Sequence, residues 1–154
     1  MSIPHDSLEG KPMPVVSTSV TTHLSPADVL RILTDFGPDR AKAFPGVDDS
    51  NLTLHDSGDN WADVTEGNKI GWERERYEWD ADKGTISAVT TESNLWGPGS
   101  RWDYTLTPQG EGTFVEIRLE RHAKGFLGHL VGLLVPIGGK KMIHTGFGKA
   151  LNSS

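Results

Sequence analysis

The run Trp72-Glu73-Arg74-Glu75-Arg76-Tyr77-Glu78-Trp79 carries two guanidiniums and three carboxylates between aromatic residues. Read as a strand, it sets Trp72, Arg74, Arg76 and Glu78 on one face and Glu73, Glu75, Tyr77 and Trp79 on the other. Both faces carry charge, so alternation alone does not choose between them. Whichever set is buried, its charges must be paired or their pKa values must move. Arg74 or Arg76 facing inward could grip a carboxylate, phenolate or enolate bidentately. They could equally complete an internal ion network with Glu78 and Arg121, or stand at a strand end open to water. Other strands are less ambiguous. Ile86, Ala88 and Thr90 share a face, as do Trp102, Tyr104 and Leu106, and Val115, Ile117, Leu119 and Arg121. These are the inward sets. Trp72, Trp96, Trp102 and Tyr104 suit a flat or ring-containing ligand, although large aromatics also simply fill cores. Trp96 precedes Gly97-Pro98-Gly99, a turn in which it could serve as a lid at a cavity mouth.

The histidines offer less. His129 and His144 are fifteen residues apart, a spacing that makes no metal-ligand pair. His129 could act as a general acid or base if it faced a cavity, while His122 reads as a solvated residue at a strand end. No Gly-x-Ser-x-Gly elbow or phosphate loop is present. The reading therefore carries no metal and no cofactor.

These residues need elements to hold them. Val15–His23 is rich in β-branched residues and predicts a first strand. Ser25 as cap, Pro26 at the first helical position and Asp28 in the first turn open a short helix closed by Asp35-Phe36-Gly37. A second short helix runs from Pro38 to about Phe44. Six further strands follow, at about Asn51–Asp56, Trp61–Glu66, Ile70–Trp79, Thr85–Asn94, Ser100–Thr107 and Thr113–His122, with loops short enough to require an antiparallel meander. Gly125 to Leu151 predicts one long helix bent near Pro136. Its stripe of Phe126, Leu130, Leu133, Leu134 and Ile137 is expected to face the sheet. The fold class is α+β: a seven-stranded antiparallel sheet curved around that helix, with two short helices after the first strand.

At 154 residues this is one domain, from residue 14 onward, behind a loose arm of residues 1–13. Met13 is an alternative start. A net charge of −6 with 15 scattered basic residues speaks against nucleic acid. Absent cysteine removes disulfides and thiolate chemistry. The apolar run after Gly125 stops at Lys140 and Lys141, short of the roughly 20 residues a bilayer requires, so no stable span is expected. With no basic and apolar leader, a cytoplasmic location is expected.

Val15–Phe36, with Ser-Pro-Ala-Asp and Val-Leu-Arg-Ile-Leu-Thr-Asp-Phe, resembles the opening of START-like, or SRPBCC, proteins, the polyketide cyclase/dehydrase and Bet v 1 group. Pro45-Gly46-Val47, Glu78-Trp79-Asp80, Leu106-Thr107-Pro108 and Gly112-Thr113 resemble its later landmarks, in order. The resemblance spans about Pro14 to Leu151 and departs in the glycine content of the last helix. It implies a helix-grip fold whose sheet and C-terminal helix enclose a cavity for a small apolar molecule, lipids included. It also implies that the face of Arg76 points inward, since the family has an apolar inward residue there. The expected ligand contacts are then Trp72, Arg74, Arg76, Ala88, Trp96, Trp102, Tyr104, Ile117, Phe126, Leu130 and Leu134. The resemblance does not imply one activity. The first expectation is binding of a hydrophobic ligand, with aromatic or anionic character among the options. The second is a metal-free cyclase/dehydratase, with Arg74 or Arg76 stabilising an enolate and Glu78, Tyr104 or His129 moving a proton. The third is a ligand-gated interaction module using Trp96 and the kinked helix.

Overall fold

The computed structural model describes residues 15–44 and 46–152. The expected N-terminal arm, the alternative start at Met13 and Pro45 lie outside the described residues. Seven antiparallel strands form one sheet in the order β1-β7-β6-β5-β4-β3-β2. They are β1 Val15–Thr22, β2 Thr53–Ser57, β3 Trp61–Gly67, β4 Trp72–Asp80, β5 Thr85–Ser93, β6 Arg101–Gln109 and β7 Gly112–Glu120. Only the β1–β7 pairing joins strands distant in sequence; the others are meander neighbours, as the short loops require. At the β4–β5 turn Gly84 has φ +67, and a Cβ there would lie 2.4 Å from the Leu106 carbonyl oxygen, so glycine is needed for both reasons.

Between β1 and β2 lie α1 (Pro26–Leu33) and α2 (Asp39–Ala43). Ser25 caps α1 by accepting from the Asp28 amide at 3.2 Å, as its sequence predicts. Val29 and Leu33 of α1 are buried against the sheet. The C-terminal segment departs from the single bent helix expected. It forms two helices, α3 (Gly125–Gly132) and α4 (Val135–Asn152), set at 81°. Pro136 is the second residue of α4, where a missing N–H removes no intrahelical bond, so it opens a new helix instead of kinking an old one.

Only α4 crosses the sheet. Ile143, Phe147, Ala150 and Leu151 are its buried apolar side chains, and its end is tied to β1 by Thr22 Oγ1 donating to the Leu151 carbonyl at 2.9 Å. The core joins them to Val16, Val20, Val64, Tyr77, Ile86, Ala88, Tyr104, Leu106, Val115, Ile117 and Leu119.

Candidate functional site

The concave face of the sheet carries a band of polar groups inside this apolar core. β4 lies with Glu73, Glu75, Tyr77 and Trp79 inward, the reverse of the face implied by resemblance. Register supplies the reason. Val64 pairs with Glu75 and Ala62 with Tyr77, and directly paired residues share a face. Turning Arg74 and Arg76 inward would expose Ala62, Val64 and Tyr77, which are 1 %, 0 % and 3 % exposed. The two arginines therefore stand outside. Arg74 forms a bidentate pair with Asp63 (2.9 and 2.7 Å). Arg76 lies 4.0 Å above the Trp61 ring and 3.7 Å from Glu78. Trp72 and Glu78 belong to the same outer face.

The inward carboxylates are compensated from other elements. Arg40 of α2 is buried and donates from Nε to Glu66 (2.7 Å), from Nη2 to the Tyr77 hydroxyl (2.9 Å), and from Nη1 to the Leu33 and Asp35 carbonyls. Phe36, Phe44 and Tyr77 surround its guanidinium. Tyr77 donates in turn to Glu66. Burial presses the Glu66 carboxyl upward, but the Arg40 charge and the bonds from Arg40 and Tyr77 outweigh it and hold the group below its usual range. At the other end of the band Arg121, just past β7, makes two bonds to Glu73, one of them 2.9 Å. Thr90 donates to the same carboxylate at 2.8 Å. The Arg121 guanidinium lies 5.0 Å from the Trp96 ring and 5.3 Å from that of Trp102.

Glu75 sits between these two pairs. It is 1 % exposed, and its Oε2 meets no donor among the described residues. Burial pushes its carboxyl well above the usual range, with the Glu73 and Glu66 charges adding to the effect, which favours the neutral form. The Tyr77 and Tyr104 hydroxyls are likewise pushed well above the usual phenol range, chiefly by burial. The face thus sets carboxyl and phenol groups raised by burial beside a Glu66 carboxyl lowered by its partners.

Of the expected ligand contacts, Ala88, Trp102, Tyr104 and Ile117 do lie on the concave face. Trp102 stacks parallel to Tyr104 at 6.3 Å between centroids, and Phe147 of α4 leans on both. Trp102 remains only partly buried, so the cover over this end of the face is incomplete. The other expectations need correction. Trp96 is not an exposed lid: it is 7 % exposed, its backbone bridges to Ala123, and it lies beneath Arg121. Phe126, Leu130 and Leu134 point to solvent, because Gly128 and Gly132 are the residues of α3 that pack on the Leu95–Trp96 segment. His129 is exposed and its Nδ1 lies 2.6 Å from the Gly125 carbonyl. Two clefts, of about 560 and 540 Å³, both open on the outer face, one beside Asp63, Arg74 and Glu92, the other beside Asp103, Glu116 and Arg118. Arg40, Glu66, Glu73, Glu75 and Tyr77 were not among the residues singled out from the sequence as site candidates. The alternation of Ala62, Val64 and Glu66 in β3 was the signal that could have found the β4 face. Among the described residues no group of three or more His, Asp and Glu side chains is placed to hold a metal.

A curved antiparallel sheet gripping a C-terminal helix, with two short helices after β1, defines the helix-grip class of START-like proteins. Residues 13–150 match the family described as polyketide cyclase/dehydrase and lipid transport, and the chain belongs to that family. Among solved structures it is similar to a START superfamily protein from Mycobacterium smegmatis (14 % identity, 89 % of this chain and 96 % of that one, TM-score 0.69). It is also similar to the Zhui aromatase/cyclase from Streptomyces sp. R1128 (17 %, 90 % and 92 %, 0.67). Norcoclaurine synthase from Thalictrum flavum is a further neighbour (15 %, 88 % and 84 %, 0.63). At these identities the likeness is one of fold. No curated protein sequence matches the chain.

Proposed function

We propose that the concave face receives a small ring-containing molecule, flanked by the aromatic surfaces of Trp102 and Tyr104, and that Glu75 donates a hydrogen bond to its carbonyl or similar acceptor. The observation that carries this reading is a wholly buried carboxyl, its neutral form favoured by burial, with an oxygen that bonds no partner among the described residues. Such a group costs stability unless something is gained from it. The half-open position of Trp102 supports entry at that end, and the family's small-molecule members support the ligand class. Calorimetry with an aryl ketone and the hydrocarbon of the same ring system tests it. Wild type should prefer the ketone by about tenfold, the equivalent of one net hydrogen bond. Glu75→Leu should abolish the preference, and Glu75→Gln, which keeps a donor, should retain most of it. Equal affinities for ketone and hydrocarbon in the wild type would refute the reading.

A second reading is catalytic. Adjacent carboxyls pushed in opposite directions, Glu75 up and Glu66 down, form the pairing from which acid and base roles are assigned. Glu75 would polarise a carbonyl while a neighbouring carboxylate takes the proton from the adjacent carbon, the opening step of an aldol-type cyclisation. Conversion of a bound poly-β-ketone mimic, followed by chromatography for the isomeric aldol product and by mass for any water lost after it, separates the enzyme from the binding protein. The interaction-module reading loses its main support with the burial of Trp96.

A further inference from the structure

Helix α3 and the start of α4 turn their apolar residues away from the protein. Phe126 and Ile137 are 85 % and 82 % exposed, and Leu130, Leu133, Leu134 and Met142 exceed 50 %. Elsewhere among the described residues only Val15, Leu54 and Ile70 are large, apolar and similarly exposed, and they are scattered. A concentration of this kind marks a surface that is covered in use. It is not explained by packing, since α3 already contacts the protein through Gly128 and Gly132.

The charge pattern identifies the cover. The 31 residues from Lys124 to Ser154 contain four lysines and no Asp or Glu, in a chain whose net charge is −6. Lys124 directly precedes α3, and Lys141 lies one helical turn from Ile137, so basic groups border the apolar patch. A second copy docking by the same surface would bring these lysines against their own equivalents. A membrane with anionic headgroups meets both features, taking the apolar side chains among its acyl chains and pairing the lysines with phosphates. Among the described residues no single helix is long and apolar enough to cross a membrane, and α3, at eight residues, is about 12 Å long. The 81° elbow keeps α3 and α4 from forming one straight span.

We propose that the α3–α4 elbow is a docking surface for anionic lipid bilayers, inserted at Phe126, Leu130, Leu133, Leu134 and Ile137. This inference does not rest on the ligand reading of the concave face. Flotation with vesicles of phosphatidylcholine containing about 30 % phosphatidylglycerol tests it against vesicles of phosphatidylcholine alone. The full chain should float with the anionic vesicles and far less with the neutral ones, and added salt should reduce binding. Phe126→Ser with Ile137→Ser, both at exposed positions, should weaken binding at least tenfold with the melting temperature held. Lys140→Gln with Lys141→Gln should remove most of the preference for anionic lipid. Absence of flotation, unchanged binding by the serine variant, or a stable dimer in sedimentation that the serine variant dissociates would overturn the proposal.

Discussion

Glu75 is the residue on which the account turns. Where it lies favours its neutral form: no cation among the described residues bonds it, whereas Glu66 has Arg40 and Glu73 has Arg121. A carboxyl raised in the folded state binds its proton more tightly there than in the unfolded chain. Its contribution to stability is therefore complete at pH values below the unfolded pKa and is lost as pH rises through the folded one. Melting temperatures followed from about pH 5 to pH 9 should fall for wild type relative to Glu75→Gln, whose amide has no proton to lose. Parallel profiles would mean that Glu75 is not held neutral. From the sequence this residue looked like one of two equivalent choices. Trp72 to Trp79 alternates charge on both faces, and the choice hung on the neighbouring strand. Ala62 and Val64 paired with Tyr77 and Glu75 decide it, and that pairing depends on a register set by the β3–β4 turn.

At the scale of elements, strands and short helices follow closely from turn residues, β-branched runs and the Ser25 cap, because each signal is local. The C-terminal segment does not. Its apolar content predicts a buried helix, and glycine spacing gives no direction. In the structure Gly128 of α3 differs sharply in its surroundings from Gly146 of α4. A Cβ on Gly128 would meet the Leu95 carbonyl oxygen at 2.2 Å, whereas one on Gly146 has nothing within 4 Å. Gly128→Ala should accordingly destabilise by about 1–3 kcal/mol through overpacking and loosen α3 from its seat. Gly146→Ala, in the interior of α4, should stabilise by about 0.5–1 kcal/mol. Chemical denaturation of the two variants gives both signs at once, and a tolerated alanine at Gly128 would show that α3 does not sit where the structure has it. The close approach at Gly128 is what fixes α3 with its leucines outward, a tertiary contact that helical periodicity alone does not reveal.

The whole molecule combines two surfaces of opposite character. Its sheet encloses polar groups that must be matched internally, Arg40 with Glu66 and Arg121 with Glu73, leaving Glu75 over. Its C-terminal elbow presents apolar groups that none of the described residues covers. The overall architecture was readable because the number of strands, their order and the closing helix are all imposed by chain connectivity. Which face of one strand turned inward was not, and with it went the arginine-based site. The central claim, that a ligand binds on the concave face beside Glu75, is tested most directly by amide chemical-shift mapping during titration with a two-ring aryl ketone. Shifts concentrated at Glu75, Ala88, Thr90, Trp102 and Tyr104 are predicted, and they should shrink in Glu75→Leu. Shifts confined to Arg74, Arg76, Thr91 and Glu92 would contradict it by moving the ligand to the outer cleft.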